Sequence, residues 1–179
     1  KIQFMKKIIL SALIGLSVIS IQGCMTPMTV TSQPMENISK VIEVNGKKQN
    51  QIFNESKMWI AESFKSANNV IQYQDEGTGS IIGKGNMKYP CVGLIDCGAF
   101  GNDNINFTIR IDSKDNKARI AVSDVTRTSL TYVKGAVNNI GQEGPITIVE
   151  HQQRIAVKLK EIINQYEQKI TSTSSSNNW

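Results

Sequence analysis

Histidine is nearly missing from this chain: His151 is the one histidine among 179 residues. A metal centre built on several imidazoles is therefore excluded within one chain, and a catalytic imidazole has a single candidate position. Cysteine is also scarce, with three residues at positions 24, 91 and 97. A chain of this length buries enough surface to fold without a disulfide framework. No apolar stretch reaches the roughly 20 residues that a membrane-spanning helix requires. The sequence also lacks a G-x-S-x-G element, a C-x-x-C pair and an EF-hand loop, so three familiar routes to nucleophilic, redox and calcium chemistry have no local signature. What remains is a chain that is 40% hydrophobic with a formal net charge of +5, of a length that predicts one folded domain.

The first residues read as an address. Met5 is the expected start, followed by the positive pair Lys6 and Lys7 and by an apolar run from Ile8 to Ile21 that only Ser11, Gly15, Ser17 and Ser20 interrupt. This is the charge-then-apolar order of a secretory signal peptide. The run ends in Ile21-Gln22-Gly23-Cys24, which resembles the bacterial lipobox. The resemblance implies cleavage between Gly23 and Cys24 and acylation (palmitate among the chains) of the Cys24 sulfur, whose thiolate is the nucleophile that accepts lipid. Gln22 departs from the small residue usual there. Met25, in place of Asp, implies sorting to the outer membrane in the lipoproteins this resembles. Removing residues 1–23 removes Lys1, Lys6 and Lys7 and no acid, so the charge of +5 falls by three to +2. The basic bias is thus largely a property of the targeting segment, and nucleic acid is not an expected partner.

Four segments follow from this reading: a signal peptide at 1–23, a lipidated cysteine and flexible tether at 24–38, a domain at 39–170 and a disordered Ser/Asn-rich tail at 171–179. Within the domain, Lys40–Val44 reads as a strand closed by the turn dipeptide Asn45-Gly46. Asn50 is the expected N-cap of a helix over Gln51–Ala67, with Ile52, Phe53, Trp59, Ile60, Phe64 and Ala67 on one face. Strands are expected at Val70–Gln74 and Ser80–Tyr89, the second with Ile81, Ile82 and Met87 as core candidates, and a long hairpin loop at 90–104. Ile105, Phe107, Ile109 and Ile111 alternate with polar residues, as do Ala118, Ile120 and Val122 across the polar turn Ser113–Lys117, which predicts an antiparallel hairpin. Residues 129–144 are ambiguous between edge strand and loop. Pro145 opens a long amphipathic helix in which Ile148, Gln152, Ile155, Leu159, Ile162, Tyr166 and Ile170 share a stripe. The order β-α-β-β-β-β-α predicts an α+β two-layer sandwich, an antiparallel sheet with two helices on one face.

Three short segments carry a family resemblance: Asn54-Glu55-Ser56-Lys57-Met58-Trp59-Ile60, Ile81-Ile82-Gly83-Lys84-Gly85, and Ser113-Lys114-Asp115-Asn116-Lys117-Ala118-Arg119-Ile120. With the element order, they resemble a family of domains of unknown function with a TBP-like fold, common in secreted and lipid-anchored bacterial proteins. The resemblance spans roughly residues 38–170 and implies a topology; it brings no catalytic residue and no ligand. The loop at 90–104 with its two cysteines and the connection at 129–144 depart from the pattern.

Other residue sets offer candidate chemistry. Cys91 and Cys97 are expected to form a disulfide in an oxidising compartment, with free thiols or a metal pair as the alternatives. Gly77-Thr78-Gly79 and Gly83-Lys84-Gly85 fail as a phosphate loop: Thr78 stands where the first glycine is required and Gly85 where the magnesium-binding hydroxyl is required. They read as a turn and a glycine-softened strand. His151, beside Glu150, reads as a lone surface histidine. Asp112, Asp115 and Asp124 read as turn carboxylates rather than calcium ligands, and Lys114, Lys117, Arg119 and Arg127 as solvated strand-face charges rather than a basic patch. No catalytic residue, metal or cofactor is assigned. The expectation is a lipid-anchored protein of the cell envelope, on the periplasmic face of the outer membrane, with a non-catalytic binding or accessory domain and an envelope protein as partner. An envelope-acting enzyme that brings His151, an acid and a hydroxyl together in a cleft is one alternative. A phage or mobile-element lipoprotein that blocks a surface receptor is another.

Overall fold

The computed structural model describes residues 28–64, 70–130 and 141–172. The signal peptide, the Gly23–Cys24 junction, most of the 129–144 connection and nearly all of the 171–179 tail lie outside the described residues.

The described chain runs β1 (Ile38–Glu43), α1 (Gln49–Ser63), β2 (Ile71–Asp75), β3 (Ser80–Lys88), α2 (Gly93–Phe100), β4 (Asn104–Lys114), β5 (Lys117–Thr128), β6 (Glu143–Gly144) and α3 (Val149–Thr171). The strands form one antiparallel sheet in the order β1-β5-β4-β3-β2, with the two-residue β6 paired to the end of β5. The predicted α+β class and antiparallel sheet are those observed, with a third helix, α2, inside the region read as a hairpin loop.

The alternating pattern of β4 and β5 sets the core. Ile105, Phe107, Ile109, Ile111, Ala118, Ile120 and Val122 all point to one face and are buried, as the two-residue period of a strand requires. Ile81 joins them from β3, but Ile82 faces the other side. At the neighbouring positions glycine is a packing requirement. A Cβ on Gly85 would lie 2.4 Å from the Phe107 ring, which fills the space a β3 side chain would take. Lys84 projects from the open face and donates to the Thr108 hydroxyl at 2.7 Å. Gly83 and Gly85 thus belong to the strand and Gly77 and Gly79 to the turn before it, the two roles expected of them.

α1 and α3 cover the apolar face. α1 starts at Gln49, one residue before the expected cap at Asn50, because its free amides are met from a distance: the Gln49 amide donates to the Asp115 carboxylate at 2.9 Å. The Lys48 amide donates locally to Gln51 at 2.9 Å. The helix ends at Ser63, short of Ala67, which lies outside the described residues. α3 buries His151, Ile155, Leu159, Ile163, Tyr166 and Ile170. The two helices meet where the Trp59 and Tyr166 rings pack with centroids 4.9 Å apart, and the buried Ser56 and Tyr166 hydroxyls share a 2.8 Å hydrogen bond.

The chain before β1 is not free. Val30 bridges Ile148, the Val149 amide donates to the Thr29 carbonyl, and the Thr31 amide donates to the Thr147 carbonyl. Gln152 donates to the Gln33 carbonyl at 2.9 Å, and Met35 packs against the core. The stretch expected as a tether to residue 38 is therefore docked on the domain from Thr29 onward.

Candidate functional site

The region between β3 and β4 concentrates the chemistry. Its base is closed by backbone: the Tyr89 amide donates to the Asp103 carbonyl and the Cys91 amide to the Tyr89 carbonyl, both at 2.9 Å. Cys91 and Cys97 form a disulfide with their Cα atoms 4.9 Å apart. Gly93 takes φ +75° and turns the chain into α2. At the far end, a Cβ on Gly101 would lie 2.5 Å from the Cys97 carbonyl oxygen, so the last turn closes only on glycine.

Asp96 is the hub. Its carboxylate accepts from the Val92 amide at 2.7 Å, which caps α2, and from the Arg154 guanidinium of α3 at 2.6 Å. The Tyr89 hydroxyl donates to it at 3.3 Å. Burial works to raise the Asp96 pKa, but these hydrogen bonds and the Arg154 charge outweigh it and hold the carboxyl below its ordinary value.

His151 sits next to this hub and is fully buried, which corrects the expectation of a surface histidine. The cause is tertiary. Its ring lies between Tyr89 and Phe100, with centroids at 4.9 and 5.0 Å. Nε2 stands 3.5 Å from the Asp96 carboxylate, within ion-pair reach, yet neither ring nitrogen has a hydrogen-bond partner among the described residues. Burial first, and then the Arg154 charge, lower the His151 pKa against the pull of Asp96, which keeps the ring neutral at pH 7.

A histidine, an acid and a hydroxyl thus do converge, as the enzyme alternative requires. They converge in packing and not in a cleft. His151 has no exposed surface, and burial pushes the Tyr89 hydroxyl well above the ordinary tyrosine range, which makes it a poor nucleophile. Four surface cavities, of about 390, 540, 570 and 640 Å³, have none of Tyr89, Asp96 or His151 in their walls. What the cluster does physically is hold α2 onto α3. Arg127 reinforces it, with its guanidinium 5.0 Å from the Phe100 ring and 3.7 Å from the buried Asp103 carboxylate. Sequence reading singled out neither Tyr89, Asp96 nor Arg154. The available signal was the position of Asp96 beside Cys97, in a segment whose cysteines demand a compact turn.

Of the remaining candidates, Asp112, Lys114, Lys117 and Arg119 line one cavity of about 390 Å³ beside the β4–β5 turn, and Arg127 lies away from it. Arg119 pairs with Asp112 at 2.6 Å and Lys117 with Glu43 at 3.9 Å, while Arg127 lies at the opposite end of β5 from both, so the four cations form no common patch. Asp112 is a strand residue and not a turn carboxylate. Its partial burial would raise its pKa, but Arg110, Arg119 and Ser80 donate to it and hold the value down at about 2. Asp115 does act in the turn, as expected, while Asp124, at φ +52°, lies in β5 where Asp124 and Val125 together oppose Phe107 in a bulge. Among the described residues no three His, Cys, Asp or Glu side chains group as a metal site.

One surface of the stapled segment is apolar. Val92 is 67% exposed, Leu94 95% and Ile95 79%. α2 has no buried residue of its own; the disulfide, Asp96 and the partly buried Phe100 hold it in place.

Comparison with solved structures places this architecture among known ones. A DUF4468 family protein from Bacteroides ovatus ATCC 8483 is 14% identical, with a TM-score of 0.55 over 83% of this chain and 93% of that one. A TBP-like protein from Parabacteroides distasonis ATCC 8503 is 13% identical, with a TM-score of 0.58 over 77% of this chain and 94% of that one. At such identities the likeness concerns the fold alone. No curated protein matches the chain. The family described as "Domain of unknown function (DUF4468) with TBP-like fold" matches residues 39–128, from β1 to the end of β5, and the chain belongs to that family.

Proposed function

We propose that this chain is a lipid-anchored envelope protein, acylated at Cys24 after cleavage at Gly23–Cys24, whose α+β domain binds a partner and does no chemistry on it. The observation that carries the reading is the Cys91–Cys97 disulfide, in a chain whose first residues read as an export signal. Such bonds persist in oxidising compartments such as the periplasm and are rare in the cytosol. The sealing of His151, Asp96 and Tyr89 into packing supports binding over catalysis. The partners of this reading are the membrane, through the acyl chains, and an envelope protein; it uses no nucleic acid and no cofactor. Two or more acyl chains anchor durably, since each buried CH₂ contributes about 0.8 kcal/mol.

The test is metabolic labelling with palmitate followed by membrane fractionation. The parent chain is expected to carry label and to sediment with membranes, and the Cys24→Ala chain to carry none. Equal label on the two chains, or none on the parent, refutes the reading.

A further inference from the structure

The exposed apolar residues of α2 stand at the end of the molecule where the anchored chain would emerge. Thr29 is fastened to the start of α3: its carbonyl accepts from Val149, and its amide lies 3.2 Å from the Glu150 carboxylate. The next residue, His151, packs on Phe100 of α2, and about one turn further on Arg154 reaches Asp96. Val92, Leu94 and Ile95 therefore project from an element seated on the first turns of α3. Met28 and Val30, 57% and 76% exposed, flank Thr29 itself. The hairpin turn after Lys114 lies at the other end of β4, which is eleven residues long and spans about 35 Å.

Chain length decides what this end faces. Thr29 is five Cα-to-Cα steps from Cys24, and a fully extended stretch of that length reaches about 17 Å. An acylated Cys24 would lie at the bilayer surface, so this end of the domain cannot stand further from the headgroups than that. Exposed isoleucine and leucine at the tip of a stapled helix are otherwise a solubility liability. Held near a bilayer, they have an apolar phase within reach.

We infer that the Cys91–Cys97 helix is a second membrane contact, which seats Val92, Leu94 and Ile95 in the interface of the same bilayer that holds the anchor and so fixes the orientation of the domain. The inference rests on the lipoprotein reading. The disulfide and the Asp96–Arg154 pair give the contact its rigidity. A flexible loop would lose entropy on insertion that a stapled one has already lost.

The test uses the full chain, processed and acylated, in vesicles of phosphatidylethanolamine and phosphatidylglycerol with or without brominated acyl chains. Leu94→Trp places a probe at the tip, on a site exposed enough to accept it. Val41→Trp places a control on β1, 60% exposed and opposite Arg119, near the hairpin turn. Emission is read as the difference from the parent chain, which has its own Trp59 and Trp179. The expected result is a blue shift and loss of emission from the Leu94 probe in brominated vesicles, with neither at Val41. A chain that floats with the vesicles but whose two probes are quenched alike overturns the contact and leaves the anchor standing. A chain that does not float overturns both. A blue shift without lipid that grows with protein concentration assigns the patch to a second copy of the chain, and one that appears only with a soluble envelope protein assigns it to that protein; either overturns the inference.

Discussion

Buried His151 has the clearest pH signature of any single residue here. In the unfolded chain it titrates near its ordinary value of 6.5; in the fold its pKa is lowered, chiefly by burial and then by Arg154. The groups facing it are Asp96 of α2, Arg127 of β5, Glu150 and Arg154 of α3, and the Tyr89 hydroxyl at the end of β3. Below pH 6.5 the unfolded chain takes up a proton that the native state refuses, so this contribution to stability is complete above that value and is lost as pH falls toward the folded pKa. The expected outcome is a melting temperature that declines as pH falls below about 6.5, and a flatter profile for His151→Phe. Asp96 does not obscure the window, since its own pKa is shifted below the ordinary carboxyl value of 3.8. Parallel profiles for parent and variant would show that His151 stays outside the linkage.

Among the elements, α2 depends on covalent chemistry more than on burial. Helices shorter than about 12 residues are marginal in water by themselves, and α2 has eight residues with none buried. Closing a short loop with a disulfide contributes about 2 kcal/mol by limiting the unfolded chain. The double variant Cys91→Ser/Cys97→Ser is therefore expected to lose about that much stability in urea denaturation. It should also become sensitive to protease between Pro90 and Asn104 while the β3–β4–β5 sheet persists. Cleavage as slow as in the parent would mean that Asp96 and Phe100 hold the helix without the bond. α1 shows a different dependence: its first amide is capped by Asp115, 66 residues away in the β4–β5 turn, so helix and hairpin are tied together.

For the whole molecule, charge separates what the fold suggests from what the surface supports. Residues 24–179 carry a net +2 once the three lysines of residues 1–23 are removed from +5. Arg110 and Arg119 are both committed to Asp112 on the open sheet face. Non-specific DNA binding depends on many uncompensated cations that release counterions. A chain of residues 24–179 is accordingly expected to leave a DNA column at about 0.15 M salt without delay, despite its TBP-like topology. Retention that weakens steeply with added salt would contradict the assignment of partners made above.

The parts of this protein legible in its sequence are those governed by local periodicity. The two-residue alternation of Ile105–Ile111 and Ala118–Val122 and the stripe from Ile155 to Ile170 specify strand, hairpin and helix because burying one face is the dominant stabilising term, and it leaves its period in the residue types. The pairing of Cys91 with Cys97 was legible for a related reason, since close spacing leaves few other geometries. The lipobox is likewise read locally, and its chemistry is a proposal that needs no fold. Tertiary structure alone decided the rest. α2 was hidden because its eight residues hold too few periods to register, and its order comes from a bond and from a salt bridge to Arg154. His151 was misread because burial is a property of the neighbours, here Tyr89 and Phe100, which come from distant parts of the chain. The docking of Thr29 on Val149, 120 positions away, has no local signature at all, because it depends on the start of α3 being folded onto the same end of the domain.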